Sequence, residues 1–325
     1  MKIPKATKLP SGRWRVLVQV DGVRHSITKD TKKEAEQTAA KMKLSPEQRI
    51  ARMTYGEAID LYILKYEKVL SPSTVKTYKD IRKNRFQNLM DMPISVNVDM
   101  QAVINQETVK PSTLRPAYSL LSASLKDLGI DPPKVRFPKQ AKKERPFLDS
   151  EQIKTFCKII RDDKFELAYL LCLHSLRCSE MRALKKEQVY NDTIHVSGAL
   201  VRSDHGYVYK PFGKSAAATR SIPILIPRVA ELVNARSEGY LCPYTVDQMD
   251  KHLRKILKEN NLPVGSYHML RHSFCSLCYF CDVSQKTCMK LGGWKSYQVM
   301  NEIYTHLSEL QEKADVEKLK RALSA

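Results

Sequence analysis

No run of this sequence is long and apolar enough to cross a bilayer. The longest apolar stretch, FELAYLLCLHSL (Phe165–Leu176), is interrupted and short of the roughly 20 residues a spanning helix needs, so a buried helix is expected there. The opening residues, MKIPKATKLPSGRW, hold no apolar segment, and no secretory signal is expected. Negative charge is scarce: 35 Asp plus Glu stand against 55 Lys plus Arg, a formal net charge of +20. A Walker-type glycine loop is absent. So is any carboxylate cluster suited to two-metal chemistry. The eight cysteines follow no regular spacing, which argues against a disulfide framework and for reduced thiols in the cytosol. Internal repeats and low-complexity tracts are lacking too.

The basic excess favours a polyanionic partner, because each neutralised phosphate releases counterions. Nucleic acid fits best. A membrane surface would need a basic amphipathic helix, and none stands out. At 325 residues the chain should divide into two or three domains. Residues 1–45 read as a small ββα unit. Trp14, Val16, Val18 and Val20 alternate onto one face, Asp21-Gly22 signals a hairpin, and Thr31–Lys43 reads as a helix. Eleven Lys/Arg against four Asp/Glu give this unit +7, and Arg13, Arg15 and Arg24 are its candidate DNA contacts.

Residues 50–133 look all-helical. Thr54 and Glu57 form a capping box opening a helix that should run to about Val69. Ser71-Pro72 supplies an N-cap and first-turn proline for a helix through Phe86. A third follows Pro111, with Leu114, Leu120, Leu121 and Leu125 on its buried stripe, and Asp131-Pro132-Pro133 should stop it. Residues 134–146, KVRFPKQAKKERP, carry +5 and read as a linker: either a solvated tether or a basic strap over a phosphate backbone, with Lys139, Lys142, Lys143 and Arg145 as contacts. From Phe147 to the end lies a larger, mostly helical domain with strands expected at Thr193–Val196, Val201–Tyr209 and from Ser221. The tail, SELQEKADVEKLKRALSA, reads as an amphipathic helix with Leu310, Val316, Leu319 and Leu323 apolar, docked on its own domain or on a neighbour.

Four stretches of this last domain carry chemistry. LCLHSLRCSEMRAL ends an apolar run in Arg177, with Glu180 three residues on. KPFGKSAAATRSIP holds Lys214 in a small-residue turn. YHMLRHSF spaces His268 and Arg271 along one helical face. LGGWKSYQVMNEIYTHL sets Trp294 ten residues before Tyr304. Two guanidiniums can grip non-bridging phosphate oxygens as permanently charged forks. Lysine and histidine can move protons, and a tyrosine phenol can attack phosphorus. Together these are the parts for phosphoryl transfer through a covalent phosphotyrosine, without a metal or other cofactor. Cys275, Cys278 and Cys281 could suggest a metal claw, but their spacing of three keeps them near one helical face, where a free cysteine packs as a small hydrophobe.

These stretches resemble the tyrosine recombinase (phage integrase) family. LRCSE is similar to its first arginine motif, HMLRHSF to its H-x-L-R-H box, and LGGW…IYTHL to its final box, in the right order and with the lysine hairpin between. The resemblance implies a mainly α fold with small β elements (α+β): an arm-type DNA-binding domain, a helical (SAM-like) core-binding domain and a mixed α/β catalytic domain. It implies that Tyr304 attacks the scissile phosphate and stays joined to the 3′ end. Arg177 and Arg271 would brace the oxygens, Lys214 protonate the departing 5′ oxygen, His268 act as acid/base or phosphate donor, and Glu180 orient the arginine pocket. Trp294 departs from the histidine many members carry; indole can donate a hydrogen bond but cannot shuttle a proton. Gly293 is the alternative register for that slot, as Lys210 is for Lys214. The expected protein is an integrase of a phage or mobile element: a tetramer on double-stranded DNA with core-type and arm-type sites, helped by DNA-bending or excision factors, cytoplasmic and nucleoid-associated. A DNA-binding protein that has lost catalysis and a type IB-like topoisomerase are the alternatives.

Overall fold

The computed structural model describes residues 5–20, 23–42, 48, 50, 52–139, 146–211, 219–294, 312, 316 and 319–323. The chain forms two compact units, Met1–Ala141 and Lys142–Ala325.

The first unit holds two separate apolar cores. One lies under an antiparallel sheet ordered β1 (Thr7–Lys8), β2 (Trp14–Val20), β3 (Val23–Lys29). Val20 pairs with Val23 and Trp14 with Lys29; Asp21-Gly22 lies outside the described residues. The alternation places Val16 and Val18 inward, with Ile27, against Ala35 and Ala39 of α1 (Lys32–Met42). Cross-strand pairing puts Arg15 and Arg24 on the opposite, open face, since Arg15 faces Thr28 and Gln19 faces Arg24. The two-residue β1 was not expected; its length leaves no alternation to read.

The other core is helical. α2 (Tyr55–Tyr66) opens on the Thr54–Glu57 capping box, with both reciprocal bonds present, and ends before Val69. α3 (Pro72–Asn84) has Pro72 in its first turn, but the Ser71 side chain makes no cap bond and reaches Ser73 instead. Two short helices follow, α4 (Gln87–Met90) and α5 (Met100–Gln106). α6 (Pro111–Asp127) buries Leu114, Leu120, Leu121 and Leu125. It stops at Leu128 and Gly129, whose φ of +76° suits glycine, before the diproline is reached. The first part of the linker lies on this core. Val135 and Phe137 pack against it, Arg115 stacks over Phe137, Gln101 bonds the Arg136 backbone, and the Tyr118 hydroxyl donates to the Pro133 carbonyl. Lys142, Lys143 and Arg145 lie outside the described residues.

In the second unit, α7 (Ser150–Ile159) starts on an Asp149–Gln152 capping box. α8 (Glu166–Leu173) is buried at every position, as the apolar run required. α9 (Cys178–Ala183) follows. β4 (Val189–Tyr190), β5 (Thr193–Val196) and β8 (Arg220–Pro223) form one antiparallel sheet. The strand expected at Val201–Tyr209 is instead a hairpin, β6 (Gly198–Ser203) with β7 (Gly206–Pro211). The Ser203 hydroxyl accepts from the His205 N–H and donates to the Gly206 carbonyl, and Gly206 takes φ +101°. Alternation continues on both sides of this turn, so periodicity alone hides the reversal. α10 (Pro227–Asn234), α11 (Val246–Glu259), α12 (His268–Phe280) and α13 (Gln285–Gly292) complete the unit. In the tail, the described residues 312, 316 and 319–323 are helical and exposed, Val316, Leu319 and Leu323 among them, and Leu310 lies outside the described residues. Among the described residues no helix is long and apolar enough to cross a membrane.

Candidate active site

Two elements deliver the first arginine. The apolar α8 ends at His174, whose ring is fully buried. His174 Nδ1 lies 2.7 Å from the Leu170 carbonyl, so the proton belongs there, and Nε2 accepts from the Leu225 and Ile226 N–H groups. Ser175 then adopts φ +68°, an uncommon conformation for a non-glycine residue, and turns the chain into α9. Arg177 is the N-cap of α9, half-buried.

Glu180 is the centre of the cluster. Its carboxylate accepts from Arg177 twice, from the backbone N–H at 2.8 Å and from Nη1 at 2.7 Å. It also accepts from Arg220, through Nη2 at 2.7 Å and Nη1 at 3.2 Å. Burial alone would raise the carboxyl; the Arg220 bond and the charges of Arg220 and Arg177 outweigh it and hold Glu180 below the usual carboxylate range. Glu180 thus bonds the side chains of both Arg177 and Arg220. Arg220 was not anticipated as a site residue; its only signal is its place six residues after Lys214, where ATRSIP enters β8.

Arg271 sits on the first turn of α12, buried, with Nη1 donating to the Ser175 carbonyl and its guanidinium 4.2 Å above the Trp294 ring. Its Nη2 has no hydrogen-bond partner, and the Ser175 hydroxyl also lacks one. Burial, then Arg177, push the Arg271 pKa down to about 9, which still leaves it charged at neutral pH. Three guanidiniums thus surround one carboxylate, a formal +3 − 1 = +2. A partly buried, incompletely paired positive cluster is stabilised by an anion.

His268 is the first residue of α12, three before Arg271, and is exposed. Partial desolvation, then Arg271 and Arg177, lower its pKa. Trp294 follows the turn that ends α13. Gly293 takes φ +63°, and a Cβ there would lie 2.9 Å from Arg220 Nη1. Gly292 must lack a Cβ because the Trp294 ring folds back over it. The Gly293 carbonyl accepts from Arg177 Nη2 at 2.9 Å. The ring face meets Arg271 and stacks near Phe274, so in the described contacts Trp294 acts through its π-face.

Arg177, Glu180, Arg271 and Trp294 are therefore brought together, with His268 adjacent. Lys214 and Tyr304 lie outside the described residues. The fallback Lys210 is in β7, exposed, opposite Ala199. A cleft of about 560 Å³ opens beside the cluster, lined by His195, Thr219, Lys290 and Trp294 among others. Cys275 and Cys278 are buried with Cys288, Phe274 and Trp294 in one apolar cluster, whereas Cys281 is exposed at the end of α12 and does not join them.

This chain belongs to the phage integrase family, the tyrosine recombinases: the family model matches residues 146–311, 166 of its 325 residues. Among solved structures, the Tn1549 transposon integrase in complex with circular intermediate DNA is similar at 19% identity, covering 82% of this chain and 100% of that one, with a TM-score of 0.63. A lambda integrase dimer bound to a core site is similar at 14% identity, over 93% of this chain and 94% of that one, with a TM-score of 0.58. No curated protein matches the sequence at a significant level.

Proposed function

We propose that this chain is a site-specific integrase that cuts and rejoins DNA through a 3′-phosphotyrosine. The observation that carries the reading is the arginine cluster around the buried Glu180, with Arg271 Nη2 unpartnered, in a chain of the phage integrase family. A non-bridging phosphate oxygen is the ligand this charge and these open donors suit. Tyr304 Oη bonds to phosphorus as its hydroxyl proton passes to a base, for which His268 is the candidate. The P–O5′ bond breaks, and Lys214 gives the 5′ oxygen a proton. Arg177 and Arg271 hold the charge that builds on the phosphoryl oxygens. His268 is the acid/base or a further phosphate donor, and Glu180 orients Arg177. Trp294 supports Arg271 from below and moves no proton. The free 5′-OH of a partner strand then attacks the tyrosyl phosphate and regenerates the phenol. The bond energy is kept throughout, so no nucleotide is consumed, and the arginines take the place a metal would fill.

The domain division of the sequence is part of this reading: residues 1–45 as an arm-type reader using Arg13, Arg15 and Arg24, residues 50–133 as a core-binding domain, and Lys139, Lys142, Lys143 and Arg145 along a basic strap. Support comes from the open face carrying Arg15 and Arg24; Arg13 is exposed but pairs with Asp30 at 2.8 Å. The Tn1549 and lambda integrase structures similar to this chain are DNA complexes, one of them a lambda integrase tetramer on a Holliday junction, and a tetramer on DNA is proposed here. DNA-bending or excision factors would be its partners, and the cytoplasm and nucleoid its location. Recombination between paired sites on a plasmid tests the reading against a topoisomerase, which would relax supercoils without pairing sites.

A further inference from the structure

We infer that Arg220 is a positioning residue for strand cleavage: it holds Glu180 and the turn after α13 so that Arg177 presents its guanidinium outward. The inference rests on the recombinase reading above. Arg220 and Arg177 share one carboxylate but differ in exposure: the Arg220 side chain is 7% exposed and that of Arg177 40%. A guanidinium facing a lone carboxylate tends to pair through two parallel bonds. Here Arg220 Nη2 takes Oε2 and Nη1 approaches Oε1. The Arg177 side chain is left with a single bond to Oε1, from Nη1. Its remaining donors are not drawn down onto Glu180.

The second half of the argument is the turn. Arg220 Nε donates to the Leu291 carbonyl at 3.0 Å, and Arg177 Nη2 donates to the Gly293 carbonyl at 2.9 Å. Gly293 leads directly into Trp294, whose ring carries Arg271. One inward-facing guanidinium thus fixes Glu180 and the segment on which both proposed phosphate-binding arginines lean. Arg220 borders the cleft, but its Nε is committed to Leu291 and both its Nη groups to Glu180, so it serves as a brace. Lysine could neutralise Glu180, but its single ammonium cannot reproduce a planar fork on the carboxylate together with a bond to Leu291.

The test uses the full chain and a nicked duplex bearing the end sequences of the element that encodes it. Single-turnover formation of the covalent adduct, DNA affinity and melting temperature are measured for wild type, Arg220→Ala and Arg220→Lys. Arg220→Ala should slow adduct formation by on the order of 10²-fold, the scale of a misplaced catalytic group, with DNA affinity unchanged. Arg220→Lys should fall between Arg220→Ala and wild type. Ethylguanidinium should raise the Arg220→Ala rate without moving its melting temperature, and should do nothing for Tyr304→Phe. A wild-type rate in Arg220→Ala overturns the inference. So does a rate loss that only follows lowered stability, with Arg220→Lys equally impaired and no rescue. An unaltered chain that forms no adduct overturns the recombinase reading and the inference together.

Discussion

Arg271 is a charged side chain in a buried place, with a carbonyl at one nitrogen, an indole beneath it and another nitrogen unpartnered. Removing the indole leaves the guanidinium without its platform. Trp294→Ala should slow cleavage, by roughly 30-fold if a desolvated cation–π contact of about 2 kcal/mol is lost. Trp294→Phe keeps a ring and should be slowed less, and Trp294→His should keep part of the activity; equal rates for Trp294→Ala and wild type would remove Trp294 from the site. His268 gives a pH signature. Its neutral form is favoured by partial desolvation and by Arg271 and Arg177, so its ring should titrate below the usual imidazole value of about 6.5 in the free protein. A bound phosphate reverses the local charge, and the NMR titration should then move upward. At this scale the sequence told most about residues inside spaced motifs: Arg177, Glu180, His268 and Arg271. Arg220 escaped because a lone arginine at the head of a strand has no periodicity, and its partners lie far off in sequence at Glu180 and Leu291.

The elements show why helices were more legible than strands. Thr54 with Glu57 stated its helix start by local hydrogen bonding, and the four leucines after Pro111 predicted the buried stripe of α6. The β6–β7 reversal turns on one serine hydroxyl and one glycine, and β1 is two residues long; neither leaves a periodic trace. His174 is an element-scale feature, since its ring ties the end of α8 to the chain following β8. His174→Leu would leave the Leu225 and Ile226 N–H groups without their acceptor and should cost about 1–3 kcal/mol in denaturant unfolding. The sign of its pH effect follows from burial, which lowers the folded-state pKa. Below about 6.5 the unfolded imidazole takes up a proton that the folded one refuses. The His174 contribution is therefore full above that pH and is lost as the pH falls toward the folded value. A stability–pH curve of wild type against His174→Leu would show this limb only in wild type.

For the molecule as a whole, the formal charge of +20 predicts DNA binding that weakens linearly in log–log form with salt. Arg15→Ala and Arg24→Ala, on the open face of the first sheet, should each reduce that slope by about 0.9 if each arginine meets one phosphate. Unchanged slopes would move the arm contact elsewhere. EDTA should leave cleavage untouched, because the proposed oxyanion clamp is built of arginines; rescue of an EDTA-inhibited reaction by a divalent ion would contradict that. The family was legible from motif order, while the arginine network became visible only through folding. The measurement that bears most directly on the account is covalent trapping: wild type and Tyr304→Phe are incubated with the nicked element-end duplex and run on a denaturing gel. The account predicts a protein–DNA adduct in wild type and none in Tyr304→Phe, which still binds the DNA. An adduct of equal yield in Tyr304→Phe, or none in wild type despite tight binding, would contradict it.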